Sequence, residues 1–177
     1  LPSLFNFELT KTIPECIHAA DAGRLIEPYL NIIKAYQSAG VPFEDAILLS
    51  NHDMNRIRST LGGDIQKAKL AAAILLTLPG TPYIYYGEEI GMLGIKPDIH
   101  LREPFLWEED PLKDTRWQKS TYSIRPDVES LEIQMADPNS IYHHYKKWIS
   151  LRNDHPELSS GTPVFQNLQN NSILAWI

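Results

Sequence analysis

The chain has 177 residues, 43% hydrophobic and 21% charged, a composition that fits an ordinary globular protein and excludes a disordered or disulfide-dense one. Sixteen basic residues against 22 acidic ones leave a formal charge of −6, which argues against a nucleic-acid partner, whose phosphates require clustered Lys and Arg. The longest apolar run, Leu70 to Leu78, is far short of the roughly 20 residues of a membrane-spanning helix, and the lone Cys16 excludes an internal disulfide or a Cys-based zinc cluster.

Leu1 stands where a Met would open a chain and no basic-then-apolar leader follows, which reads as a mature product or a fragment. Ser3 to Leu9 alternates apolar and polar residues, and that period of two predicts a first strand. From about Ala22 the period changes: Leu25, Ile26, Tyr29, Leu30, Ile33 and Tyr36 share one helical face, with Gly40 past the expected end. Asp45 to Ser50 is a short apolar run of the kind buried in parallel sheets. Asp64 is a candidate N-cap for a helix that turns Ile65, Ala68, Ala72, Leu75 and Leu76 inward and stops at Pro79-Gly80. Thr81 to Tyr86 predicts a third strand. Strands alternating with helices at this spacing predict βαβ units and a parallel sheet.

Regularity fails over residues 88–138, and so long a stretch in a compact domain reads as a binding loop. It carries Trp107, Trp117, Tyr122 and several paired charges. Asn139 or Ser140 then caps a helix with Ile141, Tyr142, Tyr145, Trp148 and Ile149 inward, ending before Pro156. From Pro163 to Ile177 two strands are expected around a turn at Asn170-Asn171.

In parallel α/β architectures ligands bind at the carboxyl ends of the strands. Asn51-His52-Asp53 follows directly from the buried run, with Arg56 and Arg58 close behind. A carboxylate, an imidazole and guanidiniums gathered there suit a polyhydroxylated ligand, although Asn51 or Asp53 could equally cap a turn. Glu88 and Glu89 follow the third strand; one or both could face the site, and Glu89 could equally be a structural partner of a nearby Arg. Asp98 and Arg102 could hold sugar hydroxyls by charge-assisted hydrogen bonds or form a simple surface ion pair. Trp107 and Trp117 could stack on a sugar face or pin the loop. His143 and His144 are adjacent on a helix and so point apart, and Cys16 has no motif partner. No phosphate-binding glycine loop, Gly-x-Ser-x-Gly elbow, His-Glu-x-x-His or dinucleotide fingerprint is present.

Together these residues resemble the α-amylase superfamily, glycoside hydrolase family thirteen. The stretch from Ile47 to Asp53 looks like the family's fourth signature region, at the end of the seventh barrel strand. Leu78 to Met92 looks like its passage from helix seven to strand eight, and Lys96-Pro97-Asp98 with Arg102 to Trp107 looks like the substrate loop that follows. The resemblance implies an α/β fold: the C-terminal portion of a TIM (β/α)8 barrel over residues 1–158, strand six onward, with the long substrate loop at about 88–138. Residues 159–177 would then be the start of a C-terminal β-sandwich domain.

The same resemblance implies retaining hydrolysis of α-1,4-glucosidic bonds in starch-like glucans. Asp53 is the expected transition-state stabiliser, His52, Asp98 and Arg102 the sugar-binding residues, and Arg56 a supporting substrate-binding residue. The Asp nucleophile and Glu general acid belong to strands four and five, in the N-terminal half of the barrel, which is absent from this sequence and is its expected partner. Without both carboxylates the chain is expected to be inactive alone. No metal or other cofactor is expected in the chain itself, and calcium is allowed in a complete enzyme. An α-glucosidase or glucan transferase of the same superfamily is the alternative, and a non-catalytic barrel used for partner binding is an alternative of another class.

Overall fold

The computed structural model describes residues 3–40, 43–110, 112–115, 117–166 and 168–177. Three strands, β1 (Ser3–Phe5), β2 (Glu44–Leu48) and β3 (Thr81–Tyr83), form a parallel sheet in the order β1-β2-β3. Phe5 sits opposite Ala46 in the first pairing, and Leu48 opposite Tyr83 in the second. The parallel sheet expected from the strand spacing is present, with β3 shorter than the run to Tyr86 suggested.

The first strand is also shorter than expected, and it leads into a helix that the alternating pattern concealed. Asn6 ends the strand and caps α1 (Phe7–Ala19), its side-chain oxygen accepting from the Leu9 amide at 3.1 Å. The Asn6 amide group donates to the buried Asp45 carboxylate at 2.8 Å, which ties the β1–α1 junction to β2. Leu9, Ile13, Cys16 and Ile17 form the buried face of α1 at helical spacing. Phe5, Phe7 and Leu9 obscure that spacing in the sequence because they happen to alternate, and Pro14 lies inside the helix.

The next helix, α2 (Gly23–Ser38), buries Leu25 and Tyr29 as expected. After a single turn, α3 (Ile57–Thr60), comes α4 (Ile65–Thr77), capped by the Asp64 carboxylate on the Gln66 and Lys67 amides. Helix α4 is apolar on two faces. Ala71, Ile74 and Leu75 join Leu9, Ile13, Leu25, Ile47 and Leu49 in the main core. Ala68, Ala72 and Leu76 pack instead on Ile141 and Tyr145.

The irregular stretch contains two 3₁₀ turns, Glu88–Ile90 and Asp98–His100, and one short helix, α5 (Leu131–Ala136). Ser140 caps α6 (Ile141–Asp154) through the His143 amide. Near its end the buried Arg152 donates to the Leu76, Leu78 and Gly80 carbonyls, closing the C-terminus of α4. A further short helix, α7 (Glu157–Ser160), follows Pro156, where an end was expected. In the tail, Phe165 pairs antiparallel with Trp176, flanked by bonds between Val164 and Ile177 and from Gln166 to Ala175. The Phe165 ring meets Tyr29 edge-on at 5.7 Å, and the Ala22 amide donates to Asn171, which fastens this pair to α2. Among the described residues, no helix is long and apolar enough to cross a membrane.

Candidate active site

Beyond β2 the chain passes through Leu49 and Ser50 into the turn Asn51-His52-Asp53. The Asn51 side chain accepts from the Asp53 amide at 2.8 Å, so Asn51 supplies the turn's side-chain bond. Among the described residues, Asp53 accepts no backbone N–H and both its oxygens go to side chains. Arg102 donates to Asp53 Oδ1 at 3.0 Å, and His52 Nε2 lies 3.1 Å from Oδ2. The same Arg102 nitrogen reaches Asp98 Oδ2 at 3.2 Å, and Arg102 Nε donates to the His52 carbonyl. Lys96 completes the row, 3.2 Å from the other Asp98 oxygen. Asp53, Asp98 and Arg102 keep about half of their side-chain surface exposed, so the cluster is an open, charged hydrogen-bonding surface.

The two loops that meet here are joined by backbone amides. Arg56 N donates to Gly94 O, Gly94 N to Ser59 Oγ, and Lys96 N to Asn55 Oδ1. Tyrosines that follow β3 hold the residues on either side of Arg102: Tyr85 donates to the Leu101 carbonyl at 3.1 Å and Tyr86 to the Glu103 carbonyl at 2.8 Å. The fully buried Glu103 carboxylate accepts from the Thr121, Tyr122 and Ser123 amides, pinning the later part of the loop. Arg102 therefore stands on a stem fixed from two sides.

Arg56 is corrected by this geometry. It is fully buried, and its guanidinium lies 4.7 and 4.8 Å from the Tyr85 and Tyr86 ring centres and donates to the Tyr86 carbonyl. A group stacked under two tyrosines supports the site and does not reach a ligand on its surface. Glu88 is also buried, accepting from the Ser50 hydroxyl at 2.5 Å, while Glu89 accepts from the Gly87 amide. Burial pushes the Glu88 carboxyl up to about 8. Trp107 and Trp117 remain at least half exposed. His143 and His144 bond in different directions, to the α5–α6 connection and to the Lys69 carbonyl, and Cys16 is a buried thiol with its pKa raised chiefly by burial.

Sequence reasoning picked out His52, Asp53, Asp98 and Arg102, and the structure brings all four together. Of the two turn-capping alternatives it left open, Asn51 is the one that caps, and it missed the supporting roles of Tyr85, Tyr86 and Glu103. The paired tyrosines at a strand end were the one available signal. Among the described residues, no three His, Cys, Asp or Glu side chains converge on a point that could hold a metal ion.

Residues 4–161 match the family model for the α-amylase catalytic domain. Alpha-amylase 3 of Dictyoglomus thermophilum is 43% identical over 179 residues, covering 99% of this chain and 36% of that protein. A 4-alpha-glucanotransferase of Thermotoga maritima is 34% identical over 157 residues, covering 85% of this chain and 34% of that protein. The crystal structure of the alpha-amylase from H. orenii superimposes with a TM-score of 0.91 at 36% identity, over 99% of this chain and 36% of that one. The chain thus spans about a third of the length of these relatives. Its three parallel strands and surrounding helices are part of a TIM barrel, and the match over nearly all of its length places the chain in the α-amylase catalytic-domain family.

Proposed function

We propose that this chain forms the part of an α-glucan-active glycoside hydrolase that carries the transition-state-stabilising carboxylate, Asp53, and the sugar-binding residues His52, Arg102 and Asp98. The reading rests chiefly on one observation. Among the described residues the Asp53 carboxylate bonds no backbone amide and is bridged to Asp98 by Arg102, beyond the carboxyl end of a parallel strand. Charged groups arranged this way suit a sugar ring, because vicinal hydroxyls donate to carboxylates and accept from a guanidinium and an imidazole. Asp53 would favour the distorted ring of the oxocarbenium-like transition state, while Arg102 and Asp98 hold the neighbouring glucose. Retaining chemistry needs a nucleophile and a general acid about 5 Å apart. Those two carboxylates would come from the rest of the barrel, so residues 1–177 alone would be inactive. Residues 159–177 would open a following β domain, and any calcium would be held outside the described residues.

The similarity to a glucanotransferase supports a second reading, in which the glucosyl-enzyme is resolved by another glucan instead of water. A non-catalytic barrel is disfavoured by four polar groups kept together and half exposed at the strand end. The test is hydrolysis of soluble starch and maltooligosaccharides by the full-length protein that carries this chain, with product anomers followed by NMR. New reducing ends of retained configuration are expected, and redistribution of chain lengths without them would favour the transferase. Asp53→Asn should lower kcat by on the order of 100-fold or more with the fold intact. Near-normal turnover would remove Asp53 from its role.

A further inference from the structure

The turn that carries Asp53 is held on its buried side by groups that the sugar-binding reading does not use. Ser50, which precedes the turn, donates to Glu88 at 2.5 Å, and Arg56, which follows it, is fixed under Tyr85 and Tyr86. Glu88 is 2% exposed, and among the described residues its second oxygen has no hydrogen-bond partner, nor do Arg56 Nε and Nη2. Three buried polar groups from two strand ends thus converge behind one surface turn. A buried polar group left without a hydrogen-bond partner costs free energy, so this arrangement asks for a reason.

We propose that Glu88 is a positioning residue of this site: acting through Ser50, and together with Arg56, it holds the Asn51-His52-Asp53 turn from its buried side and so sets where the Asp53 carboxylate stands. The inference rests on the proposed glucan activity. Burial is the main cause of the raised Glu88 pKa, opposed by the Ser50 hydroxyl and by Arg56, with Glu89 adding repulsion. Tyr145, which faces Glu88 from α6, is pushed well above its ordinary range and stays neutral throughout. Glu88 is therefore neutral through mildly acidic and neutral pH, and above about 8 it puts a new negative charge behind the turn.

In the full-length protein, Glu88→Val and Ser50→Ala remove the bond between strand ends, whereas Glu88→Gln keeps an oxygen for Ser50 and cannot ionise. At about pH 6, Glu88→Val and Ser50→Ala are expected to lose roughly 10-fold or more in kcat with KM changed less, because misplacing a reacting group costs rate before binding. Glu88→Gln recovers most of that loss and no longer loses activity as the pH passes about 8. Unchanged kcat in folded Ser50→Ala, or an alkaline limb in Glu88→Gln equal to that of wild type, overturns the inference. If the wild type shows no glucan activity, the proposed function is what fails. The His52 ring signal in NMR then decides. A step with its midpoint near 8 in wild type, absent in Glu88→Gln, supports the coupling between Glu88 and the turn, and its absence in wild type overturns it.

Discussion

Asn51 closes the turn by accepting from the backbone amide of Asp53, and both oxygens of the Asp53 carboxylate are left to the side chains of Arg102 and His52. Asn-His-Asp at a strand end was readable from the sequence, since the three residues are contiguous and the preceding apolar run marks the strand. The role of Arg56 was not readable. An Arg three positions after an Asp has the same local spacing whether it points to solvent or lies under two tyrosines 29 and 30 positions away. Arg102 differs from Arg56 in being half exposed and in contacting both carboxylates of the cluster. Truncating Arg102→Ala should raise KM steeply for longer maltooligosaccharides and less for the shortest. Steady-state kinetics across a length series checks this, and an equal loss at every length would count against a sugar-binding role.

Two loops bring the cluster together, and the backbone of one is bonded to the backbone and short polar side chains of the other. Gly94 lies where they cross, and a Cβ there would collide with the His100 carbonyl oxygen. His100 closes the 3₁₀ turn that begins at Asp98. Gly94→Ala should therefore displace Asp98 and Arg102 from Asp53 while leaving the distant main core intact. Weaker glucan binding by calorimetry is expected, with a far smaller change in the bulk circular dichroism. Binding equal to that of wild type would mean that the loop absorbs the methyl group elsewhere. Helices α2 and α6 were legible because a buried face dictates their apolar spacing, and α4 because its Asp64 cap and its Pro79-Gly80 stop bracket an apolar run. Helix α1 was not, because a chance alternation of aromatics overlaid its 3.6-residue period. The clasp of three amides by Glu103 was also hidden, since it joins residues 18 to 20 positions apart with no periodic pattern.

At the scale of the molecule, the sheet pairs β2 on both sides but leaves β1 and β3 each with one unpaired edge among the described residues. Leu4, Phe5, Phe7 and Tyr83 are about half exposed beside those edges. Open edges and uncovered apolar side chains promote association. Residues 1–177 expressed alone should therefore self-associate and melt without a sharp transition, as light scattering and calorimetry would register; a cooperative monomeric melt would contradict this. Arg152 adds a constraint of timing. The carbonyls it binds at the end of α4 lie 72 to 76 positions earlier in the chain. During synthesis they emerge well before α6, and until it docks the backbone of the passage from α4 into β3 is held, among the described residues, only by the Leu78 amide on the Ile74 carbonyl and by the pairing of β3 with β2. The tyrosines and glutamates that follow β3 wait with it. Assembly of the Asp53 surface should thus be a late event, governed by the last long helix and not by the strand that carries Asp53. Pulse-labelled hydrogen exchange during refolding of the full-length protein should find the β3 amides protected together with those of α6, and protection of β3 well before α6 would refute that order.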